Sequence, residues 1–375
     1  LSTVGTISAA IESFAPASLA EEWDNTGLLL GGTTWPAERV LLAIDLTMPV
    51  VEEAIAGEAG MIIAYHPPIF RAIRQLTDST PRQRAVLAAA RAGVALYSPH
   101  TALDACIGGV NDWLAEGVGQ GDRRALRAAA VQPATEAVKV VVYCPVEAVE
   151  RVRNGLAAVG AGRIGNYEQC SFELEGFGTF RGNERAHPAV GAAGRLERVG
   201  EVRLEMVCPE VSLPRAMEIV RELHPYEEPA IELYRLLPRP RRASGLGRRV
   251  TLDQPVMIGD LLWRLRDHLD AATNAFSVAT PGNHESTVRT IGLCAGSGGA
   301  LLEDALAQGC DAFITGEMSH HETLAAVERG CTVILAGHTR TERGYLPRLR
   351  DRLQTIVPAT TFTVATADTE VCEPG

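Results

Sequence analysis

The stretch RVLLAIDLTMPVVEEAIAGEAGMIIAYHPPIF, residues 39–70, decides the architecture. RVLLAIDL (39–46) has the apolar, branched content of a buried strand, and PVVEEAIAGEAG has the spacing of a helix. MIIAYHPP returns to a strand, which two prolines stop. A strand, a helix and a second strand with no hairpin turn between them form the βαβ rhythm of a largely parallel sheet. The rhythm continues through a helix at PRQRAVLAAARAG (81–93), a strand at VALYSPH (94–100) and one helix over ACIGGVNDWLAEGV (105–118).

The last third repeats it. Helix, strand and helix are expected at 256–270, 288–296 and 299–309, followed by strand, helix and strand at 311–317, 320–330 and 331–337. A helix from about Thr341 holds Pro347, which should kink it or mark a restart. TTFTVAT (360–366) reads as the final strand.

The middle is different. VKVVVYCP, VEAVERVRNGLAAVG, NYEQCSFELEGFGTF, GEVRLEMVCPE, LPRAMEIVRELHP and PAIELYRLL read in order as βαββαβ, the ferredoxin-like split unit. The expected fold class is α/β. Two similar α/β halves (1–136 and 239–375) form one discontinuous domain, interrupted by a ferredoxin-like insert over 137–238. The PRPRRASGLG run (238–247) is read as the insert's far border. Arg235, Arg239, Arg241, Arg242, Arg248 and Arg249 cluster there, and a solvated linker explains them better than an anion site.

With 375 residues, 46% hydrophobic and 22% charged, the chain matches a globular protein of two or three domains. No apolar stretch has the length of a membrane span, about 20 residues. The first residues lack the basic and apolar regions of a secretory signal. Eight cysteines occur without C-x-x-C spacing, so reduced, mostly buried thiols and a cytoplasmic location are expected. A formal charge of −11 argues against generic nucleic-acid binding.

The two flanking regions share a motif. SPHTALDA and AGHTRTER each follow a strand and read His-Thr-x-x-acid, His100 to Asp104 and His338 to Glu342. At that spacing both groups lie on one helix face, at the strand end where open α/β sheets bind ligands. His66 ends a third strand. Imidazole and carboxylate ligands suit a divalent ion such as zinc, iron, manganese or nickel, although one such motif alone is commonly a cap or turn.

In TGEMSHHE, His321 is a candidate for proton transfer, while His320 and Glu322 read as the start of a helix. EEWDNTGLLLGG places Asp24 and Asn25 in a loop able to contact substrate or support ligands. CAGSGG either offers free N–H groups to an anion or packs strand against helix. HPYEEP (224–229) reads as structural or interface-forming.

WDNTGLLLG, HPPIF, SPHTALDA, TGEMSHHE and AGHTRTE resemble, in this order, the GTP cyclohydrolase I type 2 homolog family of interacting-factor-three-like, dinuclear metal-centre, hexameric proteins. GFGTFRGNE and HPYEEPAIELY resemble the PII and CutA-like middle domain of its longer members. The resemblance implies metal ligands at His66, Asp104, His338 and Glu342. Tyr65 stands where a further histidine is expected, so one or two divalent ions per chain are implied. A phenol, with a free pKa near 10, is a costlier ligand at neutral pH than imidazole, and His100 could compensate. The resemblance also implies a homohexamer and hydrolytic opening of a nucleotide such as GTP. In that reading His321 or Glu317 would shuttle protons, and Arg340 and Arg343 would face an anionic substrate. The other reading is a non-catalytic metal-binding or regulatory assembly in which the insert gates access or binds an effector. A metal chaperone is a third.

Overall fold

The computed structural model describes residues 2–131 and 133–370. Its strands are β1 (Gly27–Leu30), β2 (Arg39–Ala43), β3 (Met61–Ala64), β4 (Ala95–Ser98), β5 (Gly121–Val131), β6 (Val138–Cys144), β7 (Phe172–Phe180), β8 (Glu197–Cys208), β9 (Ile231–Arg235), β10 (Arg239–Met257), β11 (Ser277–Ala279), β12 (Thr287–Ser297), β13 (Ala312–Glu317), β14 (Thr332–Leu335) and β15 (Thr361–Val364). Together with the helices they make a mixed α/β fold. The chain falls into two compact units, Leu1–Ala129 with Arg241–Gly375, and Ala130–Pro240.

The larger unit holds two sheets, ordered β1-β4-β3-β2-β15 and β11-β14-β13-β12-β10-β5. β15, β2, β3 and β4 run parallel, as do β12, β13 and β14. Strand side chains alternate between faces. Val40, Leu42, Met61 and Ile63 of the first sheet therefore share one core with Ile291, Leu293, Ile314 and Ile334 of the second. The helices Val4–Glu12, Val110–Glu116, Ile258–His268 and Leu346–Ile356 fill that core with Ile7, Trp113, Leu262 and Leu349. On the opposite faces, Leu41 and Ile62 pack with Val51 and Val86, and Phe313 and Val333 with Leu301 and Ala326. Burial on both faces is what makes these strands continuous apolar runs.

The smaller unit runs β6, helix Val146–Ala158, β7, β8, helix Leu213–Leu223, β9, with all-antiparallel sheet order β7-β8-β6-β9. Val140, Val142, Leu204 and Met206 meet Val152, Leu156, Ala216 and Val220 of the two helices.

Two expectations need correction, and one of two alternatives is decided. Residues 105–118 are not one helix: His100–Ala105 and Val110–Glu116 are separate, broken at Gly108 and Gly109. Pro347 marks a restart, in the first turn of the helix Leu346–Ile356 after the short turn Arg340–Arg343. The arginine-rich run is not a linker but belongs to β10, whose first residues stay exposed. Arg235, Arg239 and Arg242 pair with Glu210, Glu136 and Asp122. Arg248 is 1% exposed. It grips Asp112 with Nε at 2.8 Å and Nη2 at 3.0 Å, and donates to the carbonyls of Gly245, Gly247 and Cys106.

Among the described residues seven cysteines are free, five of them buried, and Cys372 lies outside these residues. No helix among them is long and apolar enough to cross a membrane.

Candidate metal centre

Two parallel strands, one in each sheet of the larger unit, deliver the central histidines. The N–H groups of Tyr65 and His66 donate to Ala43 O and Ile44 O at 2.8 and 3.0 Å. The β2–β3 ladder thus runs to His66 before Pro67 turns the chain. Beyond β14, Ala336 and Gly337 likewise donate to Thr315 O and Gly316 O before His338. The turn Arg340–Arg343 then brings Glu342 back beside His338.

The three side chains converge. Glu342 Oε1 lies 3.4 Å from His338 Nε2, and its Oε2 lies 3.4 Å from His66 Nε2. One ligand atom from each fits within 4.8 Å of the others. Two donors bound tetrahedrally to one ion at about 2.0–2.1 Å stand roughly 3.3 Å apart, so each histidine–carboxylate pair has the spacing of two ligands of one divalent ion. Glu342 is 3% exposed, and its Oε2 is buried without a hydrogen-bond partner. A buried carboxylate oxygen in that state is costly unless a cation faces it, a place that protonated His66 or a bound divalent ion can take.

Gly296 is what allows this approach. Its φ is +65°, and a Cβ there would lie 2.5 Å from Glu342 Oε1 and 3.2 Å from His338 Nε2. Gly296, near the end of β12, therefore admits the ligands.

Each imidazole is held from behind. His66 Nδ1 meets Asp45 Oδ1 at 3.0 Å, and His338 Nδ1 meets Glu317 Oε1 at 3.0 Å. A carboxylate on Nδ1 keeps a proton there and turns the Nε2 lone pair toward the metal position. Burial opposes charge on His66, but the bond to Asp45 and the charge of the Glu342 carboxylate 3.4 Å away outweigh it and push its pKa up to about 10. In the same pair, burial is outweighed by the His66 hydrogen bond, which holds Asp45 below its ordinary value. Asp45→Asn and Glu317→Gln should each weaken zinc or manganese binding by roughly 10–100-fold while leaving the thermal midpoint near native, as chelator competition and thermal unfolding would show.

Asp104 and Tyr65 form a second, adjacent pair. The Tyr65 phenol donates to Asp104 Oδ1. Burial, with the charges of Asp104 and Glu342, raises the phenol well above its ordinary value. Burial also pushes Asp104 up to about 6, against the pull of His100 and the Tyr65 bond. His100 points its Nδ1 at Asp24 Oδ1, 2.8 Å away, and Asp24 also accepts from the Thr101 N–H and hydroxyl. Burial would raise Asp24, yet these bonds hold it below the usual range. His100 has φ +29°, a strained value for a non-glycine residue of the kind that collects at functional sites.

The remaining candidates are placed as follows. Asn25 donates to Ile69 O, tying its loop to the HPPIF turn. Arg340 bonds the carbonyls of Ala336 and Ala275. Arg343 pairs with Asp368 at 2.7 Å. His321 is exposed at the start of helix His320–Glu328, with its ring 5.7 Å from that of His320. Ser319 and Glu322 cap that helix reciprocally, and Glu317 has His338 to hold. Asp45 was missed by sequence reasoning. Its signal was an acid closing the apolar run of β2 at the ligand-binding end of a parallel sheet.

A family model described as Duf34/NIF3 (NGG1p interacting factor 3) matches residues 2–372. The chain is 35% identical over 327 residues to the GTP cyclohydrolase 1 type 2 homolog of Bacillus subtilis, covering 87% of this chain and 86% of that one. It is 33% identical over 345 residues to human NIF3-like protein 1, covering 92% and 84%. Among solved structures it is similar to a Bacillus cereus protein related to NIF3, at TM-score 0.68 and 31% identity over 100% of this chain and 99% of that one. It is also similar to Staphylococcus aureus protein SA1388, at TM-score 0.79 and 26% identity over 99% and 98%. This chain belongs to the Duf34/NIF3 family.

Proposed function

We propose that this protein is a divalent-metal-dependent hydrolase acting on a nucleotide or related heterocycle, with one ion per chain held by His66, His338 and Glu342. The observation that carries the reading is the convergence of two carboxylate-backed imidazoles on one buried carboxylate with an unpartnered oxygen. A divalent ion there would supply Lewis acidity, the chemistry that makes water a nucleophile at neutral pH. Asp45 and Glu317 keep both imidazoles in the ligating tautomer. Asp104, with a pKa of about 6, is suited to exchange a proton near neutrality, and Tyr65 orients it. His321, exposed at its helix start, is the remaining candidate to move a proton to solvent.

Relatives named GTP cyclohydrolase 1 type 2 homolog support a nucleotide as the first substrate to try. The same reading takes 1–136 and 239–375 as similar halves of one domain, and 137–238 as a ferredoxin-like insert, which the sheet order β7-β8-β6-β9 supports. It also takes the protein as cytoplasmic and homohexameric, which light scattering on the intact protein checks.

A second reading is favoured by the Tyr65–Asp104 bond. With Asp104 engaged by a phenol, one ion remains where the family resemblance implies two, and the protein becomes a non-catalytic metal-binding or regulatory assembly. Tag-free protein loaded separately with zinc, iron, manganese or nickel, then screened against GTP and other nucleotides, separates the two. Turnover with at least one metal, lost in Glu342→Gln, is expected. Stoichiometric metal with no turnover on any nucleotide would establish the second reading.

A further inference from the structure

The HPYEEP turn, which the metal centre does not use, builds a second site in the smaller unit. His224, 7% exposed, accepts from the Tyr226 N–H at Nδ1 (3.0 Å), so its Nε2 donates to Tyr143 O at 2.9 Å. One neutral imidazole thereby fixes Tyr226 beside the end of β6. Glu227 accepts from the His187 N–H at 3.0 Å, tying in the connection between β7 and β8.

A cavity of about 350 Å³ lies between these segments, walled by the rings of Tyr143, Phe180 and Tyr226 with the Glu201 carboxylate among them. Phe180 and Tyr226 stand 6.4 Å apart, inclined at 52°. Tyr143 and Glu201 alternate with the core residues Val142, Cys144 and Val202, so they rise from the sheet face opposite the helices.

Gly178, diagonally across on β7, leaves room for the Glu201 side chain. A Cβ at Gly178 would lie 2.0 Å from Glu201 Oε2, so glycine at this position lets the carboxylate lie across the strand. Among the described residues Glu201 has no cationic partner. Arg181, the basic residue of the lining, turns its Nε to Gly194 O at 2.9 Å. The Tyr226 hydroxyl is buried with no hydrogen bond of normal geometry. It faces Glu201, and burial together with that carboxylate pushes the phenol up to about 12.

A carboxylate amid aromatic faces attracts a cation, and apolar walls pack a carbon body. Glu227 and Glu228, also of the lining, add negative charge that with Glu201 outnumbers Arg181 and disfavours anions. We propose that this cavity binds a small organic monocation, an alkyl- or arylalkylammonium compound. The ammonium bonds Glu201 and the Tyr226 oxygen, and the rings cover its carbon body.

The test is titration of the full-length protein with phenethylammonium, benzyltrimethylammonium, 2-phenylethanol and phenylacetate, followed by calorimetry and NMR. One saturable site per chain is expected for an ammonium probe. Binding should weaken at least tenfold in Glu201→Gln and severalfold in Phe180→Leu, with thermal midpoints kept. Glu342→Gln should bind as the parent does, which separates this site from the metal centre. Three results would each overturn the proposal: no saturable binding of either ammonium into the millimolar range, 2-phenylethanol or phenylacetate binding as tightly as the cations, or unchanged affinity in folded Glu201→Gln.

Discussion

Glu342→Gln should abolish stoichiometric metal binding while leaving the protein folded. Glu342 supplies the only carboxylate of the three-residue group, and both its oxygens face ring nitrogens at 3.4 Å. An amide keeps the shape but loses the charge that offsets a divalent cation in a buried site. Removing a direct ligand should therefore exceed the roughly 10–100-fold expected for a supporting residue. The folded state should tolerate the change, because the substitution replaces a buried carboxylate whose Oε2 has no hydrogen-bond partner with a neutral group of equal volume. Metal analysis after dialysis, paired with thermal unfolding, reads both halves of this expectation. Native-like metal content in a folded variant would remove Glu342 from the centre.

The largest effect on stability is expected at Arg248→Leu. Arg248 lies inside the larger unit and joins β10 to the helix Val110–Glu116 through Asp112, while its other donors satisfy three carbonyls. Leucine leaves Asp112 with the Gly108 N–H at 2.7 Å and the more distant Arg123, and strands the carbonyls. Breaking a buried pair in this way costs about 3–5 kcal/mol. For a unit of this size that lowers the melting temperature by on the order of 10 °C.

The pH dependence has a definite sign. Burial tends to raise Asp112, but the bonds and charge of Arg248 outweigh it and hold the carboxyl below its ordinary value. A depressed carboxylate stabilises the fold fully above its unfolded pKa, about 3.9, and loses that contribution as pH falls through the folded value. In Arg248→Leu burial is left to raise the Asp112 carboxyl, so the deficit should be largest at neutral pH and narrow as pH falls toward and below about 4. Denaturant unfolding at several pH values measures this.

Arg248 also shows where sequence reading stopped. β2, β3, β13 and β14 are buried on both faces and were legible as short apolar runs. β10 reads as a charged, proline-containing linker, because its arginines find carboxylates distant in sequence. That pairing is tertiary and leaves no local period. β1 and β11 are strands of four and three residues at sheet edges, too short to show alternation.

At the site, His66 and His338 were legible because each follows the end of a parallel strand, and Glu342 because the His-Thr-x-x-acid spacing recurs. Asp45 was not, since one acid after an apolar run is indistinguishable from an ordinary strand end until its distance to His66 is known. Nor was the donation from Tyr65 to Asp104, made between residues 39 positions apart in the chain. Tyr65 reads in sequence as a costly replacement ligand. In the folded chain its phenol makes a hydrogen bond to a carboxylate.

The most direct test of the metal centre is anomalous diffraction at the zinc edge from crystals of tag-free protein grown with zinc. The account predicts one anomalous peak per chain, bounded by His66 Nε2, His338 Nε2 and Glu342. A peak confined to the Tyr65, His100 and Asp104 side, or no peak between the two histidines, would contradict it.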